Sequence, residues 1–132
     1  MKPLGAVEKK YEAKVKLLKS NFADMLIGQK MAIGTPDLVA SICKKIPKGK
    51  SWSLSKLRNE IAKKLKADTA CPVTTSMYLR IAVSEAYKES LKRKKVVFPF
   101  WRVVEPNSPL FKKLDKSVQD FIIRKRELES ID

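Results

Sequence analysis

Cys43 and Cys71 are the only thiols in this 132-residue chain, and there is no histidine to activate either of them. That inventory removes Ser-His-Asp and Cys-His catalysis, and without any close cysteine pair it removes the usual zinc sites as well. Cys43 sits among Leu38, Val39, Ile42 and Ile46 at helical spacing, which reads as a small core residue. Cys71 stands directly before a helix start, where the helix dipole and free amides lower a thiol pKa. It is the one candidate reactive thiol, although the adjacent Pro72 also suits a buried turn.

The remaining chemistry-bearing groups are hydroxyls and cations. Thr74, Thr75 and Ser76 open the same helix, where short hydroxyl side chains and outward-pointing amides suit phosphate. Plain capping after Pro72 is the competing reading. Lys50, Arg80 and the run Lys92, Arg93, Lys94 and Lys95 add charge, within a chain whose 29 Lys and Arg against 14 Asp and Glu leave +15. An excess of that size either meets a polyanion, most commonly nucleic acid, or is tolerated as a solvated lysine-rich surface.

The elements that must position these groups read as follows. Val7, Tyr11, Val15 and Leu18 with lysines between them predict an amphipathic basic helix up to Ser20. Gly28 and Gly34 bracket a loop with room for a short strand. Thr35 as cap, Pro36 at the first position and Asp37 in the first turn predict a helix to about Lys45, closed by Pro47-Lys48-Gly49-Lys50. Ser53 caps the next, with Leu54, Leu57, Ile61 and Leu65 on one face and Lys56, Lys63, Lys64 and Lys66 on the other. A short link, Ala67 to Ala70, leads to a helix from Cys71 to about Leu91, so the pair is a helix-turn-helix candidate. Val96-Val97-Phe98 and Val103-Val104 read as extended segments, Glu105 to Pro109 as a turn, and Ser117 to Glu129 as a closing helix.

This order predicts a mainly α, winged helix-turn-helix domain with short β segments over residues 21–132, preceded by a basic extension over residues 1–20. No apolar run reaches membrane-span length and the lysine-rich start lacks the apolar core of a signal peptide. The expectation is a cytoplasmic monomer with reduced thiols, no metal and no cofactor.

Three landmarks occur in a fixed order: Pro47-Lys48-Gly49-Lys50-Ser51-Trp52-Ser53, Thr69-Ala70-Cys71-Pro72-Val73-Thr74-Thr75, and Phe98-Pro99-Phe100-Trp101-Arg102-Val103-Val104. Together they resemble a small bacterial family related to the alkylguanine-DNA alkyltransferases, over roughly residues 20 to 130. In the alkyltransferases the corresponding stretches open the first helix of a helix-turn-helix, form its recognition helix, and carry a Pro-Cys-His-Arg-Val motif. The resemblance implies a winged-helix domain that binds duplex DNA through the minor groove and turns a damaged guanine into a pocket.

Matching Pro99, Arg102, Val103 and Val104 to that motif puts Phe100 in the place of the nucleophilic cysteine and Trp101 in that of the activating histidine. Alkyl transfer needs a thiolate, so the resemblance implies binding without repair. Leu54 stands where the family has the tyrosine that helps rotate the nucleotide. Ser76 stands near its intercalating arginine, with Arg80 and Trp52 as candidate substitutes. Trp52 equally suits a hydrophobic staple. Pro99, Phe100, Trp101 and Arg102 either line a base pocket or fill the old site as core, and Arg102 needs a phosphate or carboxylate partner. The expected function is non-catalytic binding of duplex DNA, sensing alkylated or otherwise damaged bases, with a DNA-repair protein as a further partner. The alternatives are a protein- or RNA-interaction module on the same fold and an alkyltransferase using Cys71.

Overall fold

Thr35 and Ser53 stop the chain at two helix starts in the way their side chains dictate. In the computed structural model, which describes residues 11–131, Thr35 Oγ1 accepts from Leu38 N at 3.0 Å and begins α1 (Pro36–Cys43). Ser53 Oγ accepts from Lys56 N at 3.1 Å and begins α2 (Leu54–Lys64). Each cap satisfies an amide that has no partner inside its own helix. The long α3 (Pro72–Arg93) follows, capped by the Cys71 sulfur and closed by Lys94 in the left-handed conformation. A 3₁₀ turn (Phe100–Arg102), the short α4 (Pro109–Lys112) and α5 (Lys116–Leu128) complete the helical part.

The sheet lies on the N-terminal side of the helices. β1 (Lys14–Leu17) pairs antiparallel with β2 (Lys30–Ile33), Val15 opposite Ala32 and Leu17 opposite Lys30. β2 pairs in parallel with β3 (Thr69–Ala70), giving the order β1-β2-β3. Arg58 of α2 ties the sheet to the helices: its Nε donates to Ala70 O at 2.9 Å while its two terminal nitrogens grip the Asp24 carboxylate, also at 2.9 Å. That guanidinium holds the Asp24 carboxyl below its usual range.

The main core runs from Ala32, Val39, Ile42, Cys43 and Ile46 through Leu57, Ile61, Leu79 and Val83 to Phe98, Phe100, Val104 and Ile122. A satellite of Met25, Met31 and Cys71 lies under the β1–β2 connection. The mainly helical expectation therefore holds, together with α1, α2 and the closing helix.

Four local expectations are corrected. The basic helix over residues 7–20 is, in its described part, the strand β1, because Lys14 to Leu17 find backbone partners in β2; residues up to 10 lie outside the described residues. The link between α2 and α3 is not a tight turn but residues 65–71, with Lys66 left-handed and Thr69–Ala70 drawn into the sheet. Val96-Val97-Phe98 and Val103-Val104 are not strands: with Phe98, Phe100, Trp101, Val103 and Val104 all buried, an alternating in-and-out pattern cannot form, and the chain coils into the 3₁₀ turn. The short β segments come from residues 14–17, 69–70 and 30–33, the last being the short strand for which the stretch between Gly28 and Gly34 left room.

Candidate nucleic-acid interface

The turn Pro47-Lys48-Gly49-Lys50 depends on Gly49, whose φ of +80° belongs to the left-handed region. It delivers the chain to Ser53 and the positive end of α2. Around it opens a cleft of about 630 Å³ lined by Lys50, Ser51, Trp52, Ser53, Lys56 and, at its floor, Arg126. Lys50, Ser51, Ser53 and Lys56 are exposed, whereas Arg126 is 3% exposed and donates to Trp101 O at 2.7 Å and to Ser51 Oγ at 3.3 Å. Trp52 is half-buried against the core and carries Lys56 Nζ 5.5 Å from its ring centre, so it both staples the helix start and walls the cleft. Glu105 contributes a carboxylate to the same lining. Lys56 is also paired with Glu60 at 3.1 Å, but three cations, two hydroxyls and a helix N-terminus outnumber these two carboxylates, so an anion in the opening gains on balance.

The motif stretch lies directly behind this turn, joined to it by the hydrogen bond from Trp52 N to Arg102 O at 2.8 Å. Its side chains face inward. Phe100 is 0% exposed, stacked on Phe121 at 5.5 Å and edge-on to Phe98 and Trp101, so it fills the core and lines no open pocket. Trp101 is buried beside it, with Lys125 Nζ 4.9 Å from its ring centre.

Arg102 has found the carboxylate its sequence position demanded. Its Nε donates to Glu129 Oε1 at 2.8 Å, one terminal nitrogen donates to Glu129 Oε2 at 2.6 Å, and the other reaches Ile46 O at 2.9 Å. Glu129 also accepts from Trp101 Nε1 and from Gly49 N, both at 3.0 Å. The bonds from Arg102, Gly49 and Trp101 outweigh burial and hold the Glu129 carboxyl down at about 2. Three of the five N–H donors of Arg102 are thus used inside the protein, and Phe100 and Trp101 fill the core, the second of the two readings the sequence offers for the Pro99–Arg102 stretch.

The other expected contacts are scattered. Thr75 is 3% exposed and sits inward on α3, so it cannot touch a phosphate; Thr74 and Ser76 are half-buried and Arg80 is exposed. Lys92, Arg93, Lys94 and Lys95 are exposed at the far end of α3, about 30 Å along the helix from Thr74 at 1.5 Å per residue. The structure therefore gathers Lys50, Ser51, Trp52 and Ser53 into one opening and leaves the two ends of α3 apart.

Both thiols are buried. Cys43 is fully buried and its thiol is pushed up to about 12 by desolvation. Cys71 is 4% exposed, packed against Met25 and Met31, and its sulfur accepts from Thr74 N at 3.5 Å as a helix cap.

Lys56 and Arg126 were not singled out as site residues by the sequence, although Lys56 lies on the predicted cationic face of α2. Arg126 gave no signal, because it is 75 residues from Ser51 in the chain. Among the described residues no helix is long and apolar enough to cross a membrane. No protein-family profile, curated protein or solved structure matches this chain.

Proposed function

We propose that the chain is a non-catalytic duplex-DNA-binding protein, a relative of the alkylguanine-DNA alkyltransferase winged-helix domain, that holds the phosphate backbone at the cleft before α2. The single observation that carries this reading is the convergence of Lys50, Ser51, Ser53, Lys56 and Arg126 on one opening at a helix N-terminus. In a chain of net charge +15 such a convergence favours a polyanion over a small neutral ligand. In this reading α2 and α3 serve as the helix-turn-helix and the exposed Arg80 adds a contact on α3, while the 92–95 run lies apart at the far end of that helix.

The burial of both sulfurs supports the non-catalytic part of this reading, because a reaction that consumes a thiolate needs one that substrate can reach. Detection of altered bases is the part of the proposal that rests on the resemblance. It requires a base to leave the stack, with something to replace the lost stacking, and Trp52 at the cleft wall is the aromatic available for that purpose.

The test is binding to matched duplexes with and without an alkylated guanine across a salt series. If about six cations engage phosphates, log affinity falls against log salt with a slope of about −5. Tighter binding of the modified duplex selects damage sensing, equal binding leaves a general DNA-binding protein, and a near-flat salt response removes the proposal.

A further inference from the structure

Among the described residues the sheet ends in an open edge. With the order β1-β2-β3, β1 is bonded on one side only, and among the described residues no strand pairs with its outer side. All four residues, Lys14, Val15, Lys16 and Leu17, are exposed, Leu17 at 60%. Pairing places Val15 and Leu17 on the face of the sheet that carries Ala32, and Lys14 and Lys16 on the face that carries Met31.

More exposed apolar surface adjoins the end of this strand. Phe22, Leu26 and Ile27, all in the connection to β2, are 42%, 59% and 61% exposed. They do not belong to a loose loop: Asn21 Oδ1 accepts from Ile27 N and Gln29 Oε1 from Leu26 N, each at 2.8 Å, and Asp24 is clamped by Arg58. Large apolar side chains fixed in water beside an unpaired strand edge mark a surface that another chain covers.

We propose that the outer edge of β1 docks an extended peptide segment of alternating apolar and acidic residues, which adds as a fourth strand. Backbone pairing supplies the ladder, apolar side chains of the segment lie over Val15 and Leu17, and its carboxylates sit beside Lys14 and Lys16. The two lysines choose the occupant. A second copy pairing β1 to β1 would set lysine rows against each other in a molecule already at +15, so the charges that oppose self-pairing are those that favour an acidic strand. Duplex DNA offers neither a backbone ladder nor apolar side chains to match. This surface is separate from the cleft, and the inference does not rest on DNA binding there.

The experiment uses the full chain labelled with ¹⁵N and an eight-residue peptide alternating Glu and Val, against a control alternating Glu and Ser with the same charge. The Glu-Val peptide is expected to shift the β1 amides and slow their hydrogen exchange, and the control is not. The double variant Lys14→Glu/Lys16→Glu, checked for unchanged helical circular dichroism, is expected to bind it about tenfold more weakly. The inference is overturned by equal effects of both peptides, by shifts centred on Lys50 to Ser53, or by no change at β1 at about 1 mM peptide. Shifts at β1 on adding duplex instead, or a concentration-dependent dimer paired through β1, would assign the edge to another occupant and equally overturn it.

Discussion

The turn from Pro47 to Ser53 and the stretch from Phe98 to Val104 touch through Trp52 N and Arg102 O, yet the first faces solvent and the second faces the core. The second carries the residues that look chemical: two adjacent aromatics and an arginine framed by Pro99 and Val103-Val104. Every one of those aromatics is buried, and the arginine is bound to Glu129. The first looks like an ordinary polar turn, and it is the one that presents exposed lysines and hydroxyls to solvent above Arg126. The lesson is that in this protein the motif stretch acts as the wall against which the surface turn is built. Glu129 joins them, taking a hydrogen bond from Gly49 on one side and from Trp101 and Arg102 on the other.

The comparison breaks most severely if the inner stretch is removed. Phe100→Ala leaves a cavity among Phe98, Trp101 and Phe121 and is expected to cost about 3–5 kcal/mol, read from chemical denaturation. Arg102→Ala leaves the Glu129 carboxylate buried without its cation, with an expected loss of about 3 kcal/mol or more. If Arg102 met phosphate instead, that variant would lose DNA affinity and keep its stability.

Glu129 gives the comparison a pH axis. Its folded pKa lies at about 2, below the ordinary 4.5, so its contribution is fully present above about 4.5 and is lost as pH falls toward 2. The wild-type protein should lose stability across that window by up to about 3 kcal/mol from this group. Glu129→Gln should flatten that part of the curve, and an unchanged acid limb in the variant would show that the junction is not held by charge.

Much of the helical framework was legible because its signals are local. Thr35-Pro36-Asp37 and Ser53 act within one turn of themselves, and the spacing of Leu54, Leu57, Ile61 and Leu65 announces α2 without reference to the rest of the chain. Ser53→Ala should accordingly cost about 1 kcal/mol, measured as a lowered midpoint of unfolding, and leave the slope of log affinity against log salt unchanged because no charge is removed. β1 was not legible: Val15 and Leu18 fit a helical repeat equally well, and only pairing with β2 decides between the two. β3 is two residues long and exists because Lys30 and Asp68 exchange bonds across the sheet. The cleft was half legible. Lys50, Ser51, Trp52 and Ser53 are consecutive, whereas Arg126 and Glu129 reach the turn from the other end of the chain, where no spacing rule points to them.

The central claim is that anion contact belongs to the turn and not to the motif stretch behind it. The most direct measurement is the salt dependence of duplex binding for the wild type, Lys50→Ala/Lys56→Ala and Arg102→Lys, each at a temperature where it is folded. The double variant should reduce the magnitude of the log–log slope by about 2 and Arg102→Lys should leave it unchanged. An unchanged slope in the double variant, or a loss confined to Arg102→Lys, would contradict the account.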